Sequence, residues 1–111
     1  MTARIDPETV FKIRLASGAV MPIAAFGTFH SDWAQAYIKD ATLEAIRVGW
    51  RHIDTARAYE NEGGVGEAIR EAIRRGYISS RNELFVTAKL WNGHMSKKDV
   101  EPALNNTLNA L

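Results

Sequence analysis

Three residue types that together can transfer a proton stand near the ends of two apolar segments. Asp54 lies near the end of the segment Arg51–Thr55, Tyr59 follows five residues later, and Lys89 lies near the end of Leu84–Leu90. A free phenol has a pKa of about 10 and is a poor acid at neutral pH, but a nearby ammonium favours its ionised form. A carboxylate beside the ammonium holds that cation in place. The three residues therefore predict a phenol that protonates a developing alkoxide.

Both apolar segments are predicted to be strands, in which alternate residues share a face. Asp54 then shares a face with His52, and Lys89 shares a face with Thr87. Because neighbouring strands lie about 4.8 Å apart, the tips of Asp54 and Lys89 can meet. The carboxyl ends of parallel strands are where α/β proteins place active sites. The alternative for the charged pair is a structural salt bridge, and the alternative for Tyr59 is a loop aromatic that packs at the rim.

The whole chain has the pattern of a hairpin followed by three strand–helix units, which predicts the α/β class. The predicted hairpin covers 10–22, and a strand covered on both faces follows at Ile23–Phe26. A helix between Asp32 and Val48, stopped by Gly49, leads to the strand Arg51–Thr55. A helix with its apolar face at Val65–Ile73 then leads to the strand Leu84–Leu90, and a last helix runs from a capping box at Ser96–Asp99 to Leu111. Strands that alternate with helices imply a parallel sheet with right-handed crossovers. An eight-fold barrel takes about 250 residues, so this chain would be under half of one. The last helix has no stop signal, as expected of a truncated chain.

Composition excludes several classes of function. Hydrophobic residues make up 46% and charged residues 24% of the 111 residues, which is typical of one folded, soluble domain. The net charge of +1 with scattered basic residues gives no case for nucleic acid or for a membrane surface. The absence of cysteine excludes disulfides and thiolate metal sites and is compatible with a cytoplasmic protein. No signal peptide is expected in the first ten residues, and the apolar run 19–26 is too short to span a bilayer.

A longer resemblance is carried by the polar segment that contains Asp54 and Tyr59. The stretch Gly-Trp-Arg-His-Ile-Asp-Thr-Ala-Arg-Ala-Tyr-Glu-Asn-Glu (49–62) resembles the signature of the aldo-keto reductase family. Further motifs stand where that family has them: Val65–Ile69, Gly27-Thr28, Thr87–Trp91 and Val100–Leu104. The resemblance runs from Phe11 onward and corresponds to the N-terminal portion of a family member.

The resemblance implies a (β/α)8 TIM barrel whose N-terminal hairpin plugs its bottom. Residues 1–111 would then be a partial barrel domain, with 10–22 as the bottom-capping hairpin and 23–111 as the first three βα units. The implied reaction is the reversible reduction of an aldehyde or ketone by hydride from a nicotinamide cofactor. NADPH is the expected cofactor, and NADH is possible.

The resemblance also implies roles for individual residues. Tyr59 matches the family's proton donor, and Lys89 and Asp54 match the residues that tune it. The positions that match cofactor-binding residues are Gly27, Thr28, Phe29 and Asp54. The positions that match substrate-binding residues are Phe29, Tyr59 and Trp91. Phe29 departs from the tryptophan or tyrosine that many members carry, which affects the expected range of substrates.

The family's fourth catalytic residue, a histidine, and the segments that bind the rest of the cofactor would follow Leu111. We therefore expect the 111-residue chain to be inactive by itself. The rest of the barrel, or self-association, would be needed to cover its bare strand edges. An alternative function is a non-catalytic half-barrel module that persists by self-association. A small flavodoxin-like domain is a third interpretation, which three parallel strands disfavour.

Other candidate sites are weaker. A metal set could be imagined from Asp54 with three histidines, His30, His52 and His94, but the spacing fits no ligand pair, so no metal is predicted. His52 is expected to be a strand histidine that forms a hydrogen bond. Gly63–Gly66 resembles a phosphate loop but lacks the dinucleotide fingerprint, which favours a flexible lead into a helix. Trp33 and Tyr37 could cover the site or pack against the first helix.

Overall fold

A computed structural model describes residues 3–30 and 32–111, without the side chains of 32–34, so the predicted role of the Trp33 side chain lies outside the described residues. The strands β1 (Lys12–Arg14) and β2 (Val20–Pro22) pair antiparallel, with Ile13 opposite Met21. Gly18 has a φ of +89° in the turn between them, a conformation that favours glycine. The predicted hairpin pairing is therefore confirmed.

A second sheet contains three parallel strands in the order β3–β4–β5. These are β3 (Phe26–Gly27), β4 (His52–Asp54) and β5 (Phe85–Thr87). Three helices follow the three strands in turn: α1 (Ile38–Val48), α2 (Glu62–Arg74) and α3 (Lys97–Ala110). The predicted alternation of strands and helices is confirmed, with each strand followed by a helix.

The strands are shorter than the apolar runs that predicted them. Ile23 is 57% exposed, and Ala24 and Ala25 are exposed as well, so the expectation of a strand covered on both faces is wrong for this segment. Among the described residues β3 pairs only with β4, which leaves its other edge uncovered. β5 likewise ends at Thr87 rather than at Leu90, and within the described part of the chain it pairs only with β4.

The first helix begins later than predicted, because Asp32–Tyr37 forms a 3-10 helix and α1 starts at Ile38. Tyr37 is 62% exposed and does not pack into the core. The described residues contain four further short 3-10 helices, at Pro7–Thr9, Arg57–Tyr59, Arg81–Glu83 and Asn92–His94.

The hydrophobic core lies between the parallel sheet and the helices α1 and α2. Ile53 of β4, Ile46 of α1 and Ile69 of α2 are each 0% exposed and belong to one cluster. Fully burying such a side chain contributes about 1.5–3 kcal/mol. Because Ile53 faces the helices, alternation along β4 turns His52 and Asp54 to the opposite face of the sheet.

Gly49 ends α1 as predicted. Its φ is +121°, and its amide donates to the carbonyls of Ala45 and Ile46. A Cβ at Gly49 would lie 2.2 Å from the carbonyl oxygen of Ile5, so the N-terminal segment can cross the helix end only at a glycine.

The glycines at 63–66 lie inside α2 and not in a loop before it. Both the phosphate-loop interpretation and the flexible-lead interpretation are therefore wrong. A Cβ at Gly66 would lie 2.0 Å from the carbonyl oxygen of Ala110, so α2 packs against the end of α3 at this point. Close helix packing explains this glycine, and backbone flexibility does not.

The third helix starts at Lys97, but Ser96 and Asp99 do not form a capping box. The Ser96 hydroxyl donates to the Asp99 carboxylate at 2.6 Å, and neither side chain bonds a free backbone amide at the helix start. Val100, Leu104 and Leu108 are 41%, 53% and 61% exposed, and we call these three residues the α3 stripe. No helix among the described residues has the length and apolar character needed to cross a membrane.

Candidate active site

The structure brings the three predicted catalytic side chains together around one ammonium group. Nζ of Lys89 donates to Oδ1 of Asp54 at 2.7 Å and to the hydroxyl oxygen of Tyr59 at 3.2 Å. It also donates to the carbonyl oxygen of Thr55 at 3.2 Å. An ammonium has three donors, and all three are used. The predicted contact between Asp54 and Lys89 is therefore present, and Tyr59 completes the cluster.

Backbone pairing that continues beyond the ends of β4 and β5 places Asp54 beside Lys89. Thr55 donates its amide to the carbonyl of Thr87 at 2.8 Å, and Arg57 donates its amide to the carbonyl of Lys89 at 3.4 Å. The 3-10 helix Arg57–Tyr59 then turns the chain back over this end of the sheet.

A reversal at Glu60 directs the chain from Tyr59 into α2. Glu60 has a φ of +55°, the left-handed region, which residues with a side chain rarely adopt. Its amide donates to the carbonyl of Arg57 at 3.1 Å. The phenol of Tyr59 is thereby held beside Lys89 by a tight and unusual turn.

The charges at this site are paired but remain accessible. The side chains of Lys89 and Asp54 are 46% and 32% exposed, so the pair is not a buried structural salt bridge. Partial burial lowers the pKa of Lys89, but its hydrogen bonds to Asp54 and Tyr59 outweigh that effect and raise the pKa above its ordinary value. Lys89 therefore stays cationic at neutral pH. Its Nζ also lies 5.0 Å from the centroid of the Tyr59 ring, within the range of a cation–π contact.

Residues 27–29 line the same end of the sheet. Gly27 is exposed and opposite Asp54 in the ladder, and a Cβ there would meet no atom within 4 Å. Thr28 is fully buried, and both its amide and its hydroxyl donate to the carbonyl of Asp54 at 3.0 Å. Phe29 is 71% exposed, and its ring lies edge-on to Tyr59 at 5.2 Å between centroids. Gly27 and Phe29 thus face open space next to the cluster, and Thr28 supports Asp54 from the interior.

The predicted substrate-binding residues lie in two places. Phe29 contacts Tyr59, whereas Trp91 is 43% exposed and lines a groove of about 170 Å³ between the end of β5 and α3. Lys89 and Leu104 line the same groove. The substrate-binding role of these residues stays a prediction.

Two amides that sequence reasoning did not single out hold the turn around Tyr59. Asn61 is 6% exposed, and its Nδ2 donates to the carbonyl of Thr28 at 2.6 Å. Its Oδ1 accepts from the hydroxyl of Thr55 at 3.4 Å. Gln35, in the connection between β3 and α1, donates its Nε2 to the carbonyl of Tyr59 at 2.6 Å. Asn61 lies in the polar segment 49–62 that carries the family resemblance, but no role was assigned to it, and Gln35 gave no signal.

His52 is a satisfied strand histidine, as predicted. Its Nδ1 lies 2.7 Å from the carbonyl oxygen of Pro22, and its Nε2 lies 2.8 Å from the hydroxyl of Thr87. A carbonyl only accepts, so the proton is on Nδ1 and the hydroxyl can donate to Nε2. His52 thereby ties the hairpin to the parallel sheet. In the part of the chain that the structure describes, no three His, Asp or Glu side chains are grouped to hold a metal ion.

The geometry defines a class: an α/β protein whose acid, amine and phenol meet at the carboxyl ends of parallel strands. Comparison with known proteins gives the family. A family model described as the aldo/keto reductase family matches residues 24–111. The chain belongs to the aldo/keto reductase family.

Curated relatives agree with this assignment. Aldo-keto reductase family 1 member A1 of Bos taurus is 48% identical over 96 residues, which cover 86% of this chain and 29% of that protein. The 7-acetyl-epi-neemfruitin B aldo-keto reductase of Melia azedarach is 46% identical over 93 residues, 84% of this chain and 29% of that protein. The chain therefore spans less than a third of the length of these relatives.

A solved structure gives the same result. The crystal structure of a Bombyx mori aldo-keto reductase in complex with NADP superposes with a TM-score of 0.85 and 40% sequence identity. The match covers 92% of this chain and 34% of the Bombyx mori chain.

Proposed function

We propose that these residues form the first part of a (β/α)8 barrel that reduces aldehydes or ketones to alcohols with NADPH. The observation that carries the proposal is the Lys89 ammonium that bridges Asp54 and the Tyr59 hydroxyl, at 2.7 Å and 3.2 Å. Membership of the aldo/keto reductase family supports the reaction class. The Bombyx mori structure in complex with NADP supports the choice of cofactor, and NADH is the alternative.

The cluster suits proton transfer to a carbonyl oxygen. When bound, the reduced nicotinamide supplies a hydride to the carbonyl carbon. Tyr59 donates its hydroxyl proton to the oxygen on which negative charge develops. Lys89 stabilises the phenolate that remains, because its Nζ already donates to that oxygen. Asp54 keeps the ammonium in place and balances its charge.

The residues beside the cluster fit the nicotinamide end of such a cofactor. A group can approach the backbone closely at Gly27, since the space that a Cβ would occupy there is open. Gly27 lies opposite Asp54 in the ladder, so that space adjoins the catalytic cluster. In this proposal Gly27, Phe29 and Asp54 line the nicotinamide end, and Thr28, which is fully buried, contributes through its bonds to the Asp54 carbonyl.

The substrate in this proposal is a small aldehyde or ketone, and neither nucleic acid nor a membrane is a partner. Phe29, Tyr59 and Trp91 would form walls of the pocket, which the exposure of Phe29 and Trp91 supports. A cytoplasmic location is part of the proposal, and the absence of cysteine is compatible with it.

Replacing the proton donor tests the function. In the intact protein we expect Tyr59→Phe to lower kcat for a carbonyl substrate by at least about a hundredfold, because general acid catalysis contributes about 10²–10⁴-fold. NADPH binding, measured by fluorescence, should stay within about twofold of the wild type. Ala58→Ser, at the exposed neighbouring residue, is the control. Unchanged turnover in Tyr59→Phe would remove Tyr59 from the mechanism.

A non-catalytic, self-associating half-barrel is the second candidate, and the exposed α3 stripe favours it. β5 has a strand neighbour on one side only among the described residues, which leaves an edge open to another chain. Size-exclusion chromatography, NADPH fluorescence and a carbonyl-reduction assay on the 111-residue chain, with and without the rest of the barrel, distinguish the two candidates. A folded oligomer that neither binds NADPH nor gains activity when the rest of the barrel is supplied would favour the module. For the reductase we expect the 111-residue chain to be inactive unless the rest of the barrel is supplied.

A further inference from the structure

The main-chain carbonyl of Tyr59 has one hydrogen-bond partner among the described residues, the side chain of Gln35. Nε2 of Gln35 lies 2.6 Å from the Tyr59 carbonyl oxygen, and the bond is partly buried. The 3-10 turn uses the carbonyls of Ala56 and Arg57, and α2 begins by using that of Asn61. The Tyr59 carbonyl therefore lies between two elements, at the point where the chain reverses.

Gln35 has no competing polar contact among the described residues. Its Oε1 is buried without a hydrogen-bond partner. Turning the amide over would place that oxygen against the Tyr59 carbonyl oxygen and repel it, so the nitrogen must face Tyr59. An unpaired buried oxygen is unfavourable, yet Gln35 keeps the orientation in which its nitrogen bonds to the Tyr59 carbonyl.

The other side-chain contacts at this turn join Asn61 to Thr28, just after β3. Asn61 bonds to the Thr28 carbonyl, and Thr28 in turn bonds to the Asp54 carbonyl. These contacts hold the end of the turn that leads into α2. Gln35 holds the end that carries the phenol, and it does so from the 3-10 helix Asp32–Tyr37.

We propose that Gln35 is a positioning residue for Tyr59, which holds the backbone of Tyr59 so that its hydroxyl stays within hydrogen-bond distance of Lys89. The inference rests on the proposed reductase function for its effect on catalysis. Without the bond, the turn gains freedom at the residue whose hydroxyl must meet both Lys89 and the substrate oxygen. Misplacing a reacting group by about 1 Å can cost on the order of a hundredfold in rate.

Steady-state kinetics on the intact protein provide the first test. We expect Gln35→Leu to lower kcat about tenfold, within the range that such misplacement allows. The KM for the carbonyl and the Kd for NADPH should stay within about twofold. Gln35→Lys keeps a donor and should recover most of the lost kcat. Ala36→Leu changes the exposed neighbour on the same turn and should behave as the wild type.

A carboxyl group at position 35 gives a pH signature. Gln35→Glu has almost the shape of glutamine, but its ionised form cannot donate to a carbonyl. Its kcat relative to the wild type should therefore be low at pH 7 and rise as the pH falls towards about 4.3, where the new carboxyl group takes up a proton. A ratio that does not change with pH, or a kcat of Gln35→Leu within twofold of the wild type, would overturn the proposal.

The titration of Lys89 gives a readout that does not need turnover. Burial lowers the pKa of Lys89, whereas its bonds to Asp54 and Tyr59 raise it. In Gln35→Leu the Tyr59 bond weakens, so we expect the pKa of Lys89, followed by NMR of its side-chain carbon, to fall relative to the wild type. The Lys12 signal, from the hairpin, is the internal control. An unchanged Lys89 midpoint would contradict the positioning role.

The two tests separate this inference from the proposed function. If the wild-type protein reduces no carbonyl but Gln35→Leu still shifts Lys89, the reductase proposal fails and the positioning role stands. If the wild type is active and neither kcat nor Lys89 responds to Gln35→Leu, the positioning role fails and the reductase proposal stands.

Discussion

Lys89 is the residue on which the geometry of the site depends. Its three donors reach a carboxylate, a phenol and a main-chain carbonyl, which belong to Asp54, Tyr59 and Thr55. Asp54 alone could pair with the ammonium from many directions, but the carbonyl and the phenol limit the directions that remain. An amine held in this way can stabilise charge on the phenol oxygen without first reorienting, which is the condition for electrostatic catalysis.

A second charged cluster, which has no role in the proposed reaction, allows a test of how the stability of the fold depends on pH. Glu71 of α2 accepts from Nε of Arg74 at 2.7 Å and from Nε of Arg75 at 2.6 Å. The bond from Arg74, followed by that from Arg75, lowers the pKa of Glu71 from 4.5 to about 2. Because the folded-state pKa is the lower one, ionised Glu71 stabilises the fold above the unfolded-state pKa, and that contribution is lost as the pH falls through about 2.

We therefore expect Glu71→Gln to lower the denaturation midpoint at pH 7 by a small amount, since the arginines are largely exposed. The difference from the wild type should shrink between pH 4.5 and about 2. Urea titrations at several pH values measure it. In a background that lacks Arg74 and Arg75, the same substitution should have no pH-dependent effect. A difference that is constant with pH would show that the arginines do not hold the pKa of Glu71 down.

At the scale of residues, the sequence allowed the contact between Asp54 and Lys89 to be predicted, because strand alternation alone places the two side chains on one face. Tyr59 was grouped with them because a phenol five residues after Asp54 suits proton transfer, and the family resemblance agreed; periodicity did not place it. Gln35 was out of reach, since it acts through a main-chain carbonyl 24 residues away and any side-chain donor would serve there. Every residue has a main-chain carbonyl, so the type of the accepting residue does not reveal such a hydrogen bond.

Among the elements, α2 and α3 meet at a glycine, and this contact predicts opposite effects for two similar substitutions. A Cβ at Gly66 would lie 2.0 Å from the carbonyl oxygen of Ala110, and backbone cannot move aside as a side chain can. We expect Gly66→Ala to destabilise the intact protein by roughly 1–3 kcal/mol, the usual cost of overpacking.

Gly63→Ala, in the same helix, is the matched control. A Cβ at Gly63 would meet no atom within 4 Å, so alanine there should stabilise the helix by about 0.5–1 kcal/mol. Urea denaturation of the two variants measures both effects. Equal effects of the two substitutions would mean that α2 and α3 do not approach as closely as the structure shows.

The same glycines show where prediction of elements failed. The apolar face of α2 was predictable from its spacing, and Val65, Ala68, Ile69 and Ala72 are all 0% exposed. The start of α2 was not predictable, because glycine is a poor helix former and its presence favoured a loop. Packing against α3 overrides that preference at Gly66. The strands were predicted to be longer than they are, because an apolar run such as Ile23–Ala25 forms a strand only where a neighbouring strand is present to pair with it.

In the molecule as a whole, side-chain and main-chain bonds tie the hairpin and the N-terminal segment to the end of the sheet opposite Asp54, Tyr59 and Lys89. His52, the first residue of β4, bonds to the carbonyl of Pro22 in the hairpin. The amide of Ile5 donates to the carbonyl of Val48 at 2.6 Å, which joins the N-terminal segment to the end of α1. These ties leave the carboxyl ends of the strands open, where Asp54, Tyr59 and Lys89 meet.

The α3 stripe predicts that one substitution has different effects on two forms of the protein. Leu104 is 53% exposed between Val100 and Leu108, and apolar patches of this kind mark surfaces that another part or another chain covers. If the rest of a barrel covers the stripe, Leu104→Glu should destabilise the intact protein by about 2 kcal/mol or more, because a carboxylate replaces a buried leucine. In the 111-residue chain alone it should instead favour the monomer, as measured by analytical ultracentrifugation.

Asn105→Glu, exposed and one residue further around the helix, adds the same charge and should change neither property. An intact protein that tolerates Leu104→Glu as well as Asn105→Glu would show that the stripe faces solvent, and the barrel proposed for this chain would have to be closed in another way.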